Sequence, residues 1–167
     1  DNSEQVCHAL YLSYPSVVRF YSLAKNVGEH NAVMAGLNHV TGEYVVIMDD
    51  DFQNPISEVL KLIDAGVAGS WDVVYTYYDK KQHSWFRNLG SRFNDRVANL
   101  MLGKPKDLYL SSFKLLTRFL LSEIVKYDLP YPYIDGLVLR STSNIGKIKV
   151  EHHSRIEGRS GYTLRKL

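Results

Sequence analysis

A chain of 167 residues, 45% hydrophobic and 23% charged, is long enough for one domain with a buried core and is not a disordered composition. Its single cysteine, Cys7, excludes an internal disulfide and a four-cysteine zinc site, and no apolar run approaches the ~18 residues that span a membrane. The net charge of +2 hides a segregation: residues 1–79 hold three bases against eleven acids, residues 80–118 nine against two, residues 119–139 one against three and residues 140–167 seven against two, so the first half suits a metal or a neutral ligand and the second a phosphate or an anionic membrane surface.

Residues 3–12 are predicted helical, and residues 17–23 read as a strand. A helix over residues 29–40 ends at Thr41-Gly42, where glycine accepts the left-handed cap. Residues 44–48, Tyr-Val-Val-Ile-Met, form a continuous β-branched run, as in a strand buried on both faces. Pro55 suits the first turn of the next helix, which runs to about Ala68, and residues 73–78 make a third strand. This alternation predicts an α/β fold with a mostly parallel sheet and right-handed crossovers. Residues 84–102 are predicted helical, with Trp85, Leu89, Phe93, Val97 and Leu100 at helical spacing beside Arg87, Arg92 and Arg96. Residues 113–126 read as a further helix, residues 147–152 alternate like a strand, and residues 154–167 read as a basic surface loop or tail. There is no internal repeat, so residues 1–167 are expected to be one domain. The chain opens on Asp1-Asn2-Ser3 with no initiator methionine or signal-peptide pattern, as an excerpt of a longer protein would.

The sharpest chemical feature is Asp49-Asp50-Asp51-Phe52-Gln53-Asn54-Pro55. Three carboxylates follow directly on a buried strand, and ligands of open α/β sheets bind at the carboxyl ends of strands. Adjacent like charges repel unless a cation is present, and on an extended chain Asp49 and Asp51 project to the same side. Oxygen-only ligands favour Mg²⁺ or Mn²⁺, which keep positions open for phosphate oxygens. A helix–loop–helix calcium loop starting at Asp49 needs glycine where Asn54 stands and glutamate where Leu60 stands; one starting at Asp51 needs glycine at Ile56. Both are rejected. The ordinary alternative is a helix cap by Asp51 or Asn54, which one such residue would satisfy.

Lys25-Asn26-Val27-Gly28-Glu29-His30 opens a helix. Gly28 permits a tight turn and the helix N-terminus favours an anion, although an ordinary strand–helix turn would read the same. Asp107, beside Lys106 and followed by Ser111-Ser112-Phe113-Lys114, fits a general base, a helix cap or a salt-bridge partner equally. Arg155-Ile156-Glu157-Gly158-Arg159-Ser160-Gly161-Tyr162 fits a phosphate clamp or a solvated basic tail. His152 and His153, adjacent on a strand, point to opposite faces and receive no role.

Taken together, these motifs resemble inverting glycosyltransferases of family 2 with the GT-A fold, in particular the branch that uses polyprenyl phosphates. Asp1-Asn2-Ser3 resembles the tail of that branch's Asp-Asp-Gly-Ser stretch. Lys25-Asn26-Val27-Gly28 resembles its Arg-Asn-Phe-Gly turn, and Ala35-Gly36 its Ala-Gly pair. Residues 49–55 resemble its Asp-Ala-Asp-Leu-Gln-Asp-Pro motif. Phe113-Lys114-Leu115 resembles its Phe-Arg-Leu stretch. Arg155, Gly158, Ser160 and Tyr162 stand in register with its Arg-x-x-Gly-x-Ser-x-Tyr motif. Lys25 and Lys114 replace arginines, which keeps charge and loses bidentate geometry. The segment from Asp107 to Phe113 is one residue longer than the usual pattern, and Ser112 stands where some relatives carry an acid.

The resemblance implies a GT-A domain, with a donor and metal half over residues 1–79 and an acceptor half over residues 80–167. The first strand of the family would lie before Asp1. It implies transfer of a sugar with inversion from a nucleotide sugar to undecaprenyl or dolichyl phosphate. Asp51 and Gln53 would hold Mg²⁺ or Mn²⁺. Asp1, Lys25, Asn26, Asp49 and Asp50 would contact the donor. Arg87, Lys114, Arg155, Arg159, Ser160 and Tyr162 would meet the acceptor or its phosphate. Asp107, then Asp135, would be the base if one is needed. The arginine-bearing helix at residues 84–102 would lie on the cytoplasmic face of a membrane. No nucleic-acid partner is implied, and a homo-oligomer is admitted. The rival readings are a soluble family 2 transferase extending a surface polysaccharide and a catalytically silent metal-binding interaction domain.

Overall fold

The protein is described from a computed structural model over residues 2–78, 104–105 and 107–153. Helix α1 (Ser3–Ser13) is followed by an irregular stretch that leads to α2 (Glu29–Leu37). Gly28, at φ 84°, is the N-cap of α2, a left-handed conformation that a Cβ resists. Strand β1 (Tyr44–Ile47) leads through the aspartate loop to α3 (Ile56–Gly69), which Pro55 opens with a helix-compatible φ of −61°. Strand β2 (Val73–Tyr77) follows. Then come β3 (Lys114–Thr117), α4 (Arg118–Ile124), α5 (Ile134–Ser141) and β4 (Ile145–Lys149).

The four strands form one sheet in the order β1-β3-β2-β4. β3 runs antiparallel to both neighbours, pairing Ile47 with Lys114 and Tyr75 with Lys114, while β4 runs parallel to β2 with Val73 opposite Ile145. The period-2 alternation of strands divides the core in two. Val45, Val73, Tyr75 and Leu116 pack with Met34 and Leu37 of α2, Leu120, Leu121 and Ile124 of α4, and Leu137 and Val138 of α5. Val74, Leu115 and Phe113 pack on the other face with Leu62 of α3. α3 approaches the sheet closely at Gly66, where a Cβ would stand 2.9 Å from Leu115 Cδ2.

The α/β class holds, and the sheet is mixed: three of its four strands share one direction and β3 opposes them. β1 and β2 do point the same way, as a crossover through α3 requires, but β3 lies between them. That strand comes from the segment expected to be helical throughout residues 113–126. Lys114, Leu115 and Leu116 are buried in the sheet, and helix begins only after Thr117, whose hydroxyl accepts from the Leu120 amide at 3.4 Å. The expected strand over residues 17–23 does not form. Val17 and Val18 both donate to the Tyr14 carbonyl in a turn, Val17 is 82% exposed, and the segment has no ladder partner among the described residues. Strand propensity alone does not make a strand; the residues must also pair in a ladder. The helix expected over residues 84–102 and the tail over residues 154–167 lie outside the described residues.

Candidate active site

The topology brings distant segments to one rim. β1, β2 and β4 share a direction and β3 opposes them, so the residues after β1, β2 and β4 meet those before β3. These are the aspartate loop, Tyr78, residues 150–153 and Ser111-Ser112. The place is the carboxyl end of the parallel strands, where open α/β sheets bind ligands.

Within the loop, Asp51 Oδ1 accepts from the Gln53 amide at 3.2 Å, a local turn that aspartate side chains favour. Phe52 adopts φ 58°, and its ring is exposed. The chain therefore bends sharply between Asp51 and Gln53 rather than staying extended. Neither Asp51 nor Asn54 caps α3, whose N-cap is Pro55 without a side-chain bond. Ser112 Oγ donates to Asp49 Oδ2 at 2.7 Å, and Asp50 is exposed. Gln53 Nε2 donates to the His153 carbonyl at 3.2 Å, and the His153 amide donates to the Gln53 carbonyl at 2.8 Å. Tyr78 donates its hydroxyl to Asn54 Oδ1 at 3.2 Å, and its ring lies 4.4 Å from that of His152 and 6.3 Å edge-on to Tyr109. Burial raises the Tyr78 phenol, against a lowering hydrogen bond with Thr76; the charges of Asp49 and Asp51 add to the rise.

Beneath this rim, Lys114 and Asp135 form a buried ion pair, and Tyr75 donates its hydroxyl to the same Asp135 oxygen at 2.8 Å. Burial, then the charge of Asp135, pushes the Tyr75 phenol far up, so it remains a donor. Lys114 was expected at the acceptor phosphate and Asp135 as a base. The structure pairs the two with each other inside the core, because β3 turns Lys114 to the same sheet face as Tyr75. Asp107, the first expected base, is exposed and ion-paired with Lys147, and the two line a cavity of about 180 Å³ together with Tyr75, Thr76, Tyr77 and Tyr109. The Lys147 hydrogen bond holds the Asp107 carboxyl below its ordinary range, which makes it a weak proton acceptor.

Asn26 Oδ1 accepts from the Gly28 amide at 3.0 Å, and Lys25 is exposed in the same turn. His30 meets Tyr133 edge-on at 5.4 Å, which ties the start of α2 to the start of α5. Asp1, Arg87, Arg155, Arg159, Ser160 and Tyr162 lie outside the described residues.

Among the described residues no three His, Cys, Asp or Glu side chains converge as a metal cluster. Asp51 and Gln53 offer oxygen donors two residues apart. With its amide nitrogen given to His153, the Gln53 side chain keeps its oxygen as an acceptor. Such a sparse set fits Mg²⁺ or Mn²⁺, which take one or two carboxylates and complete their shell from substrate phosphates and water. Tyr78 was not foreseen, although it stands directly after a strand at the ligand-binding end. His152 and His153 were given no role, and His153 acts through its backbone, which no side-chain pattern reveals.

The chain matches the family described as Glycosyl transferase family 2 over residues 1–125. It is 34% identical over 145 residues to the undecaprenyl-phosphate 4-deoxy-4-formamido-L-arabinose transferase of Sodalis glossinidius, covering 87% of this chain and 44% of that protein. It is 32% identical over 167 residues to the transferase of the same description from Serratia proteamaculans, covering 100% and 51%. The chain thus spans about half the length of these curated relatives. The crystal structure of Mycobacterium tuberculosis glucosyl-3-phosphoglycerate synthase is similar with a TM-score of 0.60 at 16% identity, covering 99% of this chain and 60% of that one. The same enzyme in complex with Mn²⁺ and uridine-diphosphate-glucose matches with a TM-score of 0.53 at 18% identity, covering 95% and 57%. At those identities the likeness is one of fold.

Proposed function

Because the chain belongs to glycosyl transferase family 2, we propose that its parent protein moves a sugar from a nucleotide-sugar donor to a polyprenyl phosphate, with inversion and with a divalent metal. The observation that carries this reading is the gathering of Asp49, Asp51 and Gln53 with Ser112 and Tyr78 at one end of the sheet. The names of the curated relatives support a lipid-phosphate acceptor.

Asp51 and the Gln53 amide oxygen would hold Mg²⁺ or Mn²⁺. When bound, the ion would neutralise charge developing on the departing nucleotide diphosphate. Asp49, held by Ser112, faces the donor, and Lys25 and Asn26 sit in the turn that opens α2. Inversion requires one in-line displacement at the anomeric carbon. An acceptor phosphate is ionised near neutral pH, so it attacks without a strong base, in keeping with Asp107 and Asp135 both being tied to lysines. Arg87, Arg155, Arg159, Ser160 and Tyr162 remain the basic and hydroxyl groups assigned to the acceptor side, and Lys114, paired with Asp135 in the core, is withdrawn from it. The described residues contain no helix long and apolar enough to cross a membrane. The parent is assigned to the cytoplasmic face of a membrane, where its acceptor would be embedded.

The test uses the whole protein in membranes with radiolabelled UDP- and GDP-sugars and Mg²⁺ or Mn²⁺. Metal-dependent label in the organic phase, lost in Asp51→Asn, supports the proposal. Label confined to a water-soluble product moves the acceptor to a polysaccharide. No metal-dependent transfer to either product removes the catalytic reading.

A further inference from the structure

We propose that Tyr78 is a positioning residue that sets the spacing between the Asp51–Gln53 turn and the chain leaving β4. This inference rests on the reading of Asp51 and Gln53 as the metal-binding pair. Three segments converge on this one side chain, which β2 carries to the rim. Its hydroxyl donates to Oδ1 of Asn54, which is buried and immediately precedes Pro55, the N-cap of α3. One side of its ring meets His152 at 4.4 Å, and its edge meets Tyr109 at 6.3 Å. Its own backbone continues β2, where the Tyr77 carbonyl accepts from the Val150 amide at 3.1 Å.

The neighbours of those partners are the site. Asn54 follows Gln53, and His152 precedes His153, whose amide and carbonyl make the two bonds to Gln53. Gln53 in turn anchors Asp51 through its amide. A shift of Asn54 or of the chain at residue 152 is therefore passed by covalent connection to both metal-binding side chains. A phenol suits this post. Its ring supplies a rigid body with two rotatable bonds, and its hydroxyl satisfies a buried amide oxygen that would otherwise lack this donor.

The experiment measures Mn²⁺ binding to the whole protein in the presence of UDP, by the loss of the free-ion electron paramagnetic resonance signal, together with thermal unfolding. Tyr78→Phe removes only the hydroxyl, a loss worth about fivefold in an equilibrium constant. We expect Mn²⁺ affinity to fall by about that factor at an unfolding midpoint close to wild type. Asn54→Ala should weaken binding comparably, and the double variant no further than the weaker single. Wild-type affinity in Tyr78→Phe, beside a weakened Asp51→Asn, overturns this inference alone. Full additivity of the two losses overturns it as well. Wild-type affinity in Asp51→Asn overturns the metal reading and this inference with it.

Discussion

Gln53 and His153, 100 residues apart in sequence, are joined by two hydrogen bonds, one through the Gln53 side chain and one through its backbone. The clip fixes the orientation of the Gln53 amide, with its nitrogen toward a carbonyl and its oxygen left as an acceptor. Gln53→Glu puts a carboxylate oxygen against the His153 carbonyl. It is expected to lower Mn²⁺ and UDP affinity by about tenfold, since replacing a donor by an acceptor at such a contact costs about 1–3 kcal/mol. Gln53→Ala, which removes the oxygen ligand together with the clip, should lose at least as much. Calorimetric titration checks both, and a Glu variant that binds as tightly as wild type would detach this side chain from the site.

Ser112 offers a separate handle on Asp49. Its hydroxyl is 2.7 Å from the carboxylate, and Ser112→Ala deletes that donor without disturbing Ser111, which is buried and bonds to Thr76 and the Phe113 carbonyl. A rise of about threefold to tenfold in the donor KM is expected, with thermal stability nearly unchanged. Ser112→Thr should restore most of the loss. An unaltered donor KM in Ser112→Ala would show that Asp49 does not depend on this contact.

The Lys114–Asp135 pair makes a stability prediction. Lys114→Met leaves the Asp135 carboxylate buried with the Tyr75 hydroxyl as its side-chain partner among the described residues. Breaking one half of a buried pair costs about 3–5 kcal/mol, to be read from urea unfolding. The double variant Lys114→Met/Asp135→Leu should recover much of that stability, because the desolvation cost of both charges is removed together. If the single variant loses under about 1 kcal/mol, water reaches this cluster and the burial argument fails.

Asp107 supplies the pH prediction. Lys147 holds its carboxyl below the ordinary carboxylate value, so its contribution to stability is complete above the unfolded value near pH 4 and is lost as the pH falls through the lower folded value. Nothing about Asp107 titrates between pH 6 and 8. An acid limb of kcat in that range should therefore persist in Asp107→Asn. Its disappearance in the variant would restore Asp107 as the base.

Trp71 rests on two glycines. A Cβ at Gly146 would stand 2.6 Å from Trp71 Cδ1, and one at Gly69 would overlap the indole nitrogen. Gly146→Ala is expected to destabilise the fold by about 1–3 kcal/mol through displacement of the indole. Chemical denaturation measures this directly, and a neutral result would mean that the indole moves aside freely.

The sequence by itself determined the α/β class, the positions of α2, β1, α3 and β2 to within a few residues, the turn at Gly28 and the place of the aspartate loop, the candidate site, directly after a strand. These are local properties. A β-branched run, an amphipathic period, a glycine that must adopt positive φ and three acids after a strand each act over a few neighbouring residues. Tertiary structure alone decided that residues 114–117 would be a strand between β1 and β2, since a short apolar run satisfies a helix or a sheet until a strand edge is offered to it. It also decided that residues 17–23 would remain irregular, in a turn around the Tyr14 carbonyl and paired with no strand among the described residues. The pairing of Lys114 with Asp135, of Gln53 with His153 and of Tyr78 with Asn54 followed from that strand order. Local pattern states that a residue will be buried or will seek a hydrogen bond, but which partner it finds depends on which distant segments the sheet carries to the same rim.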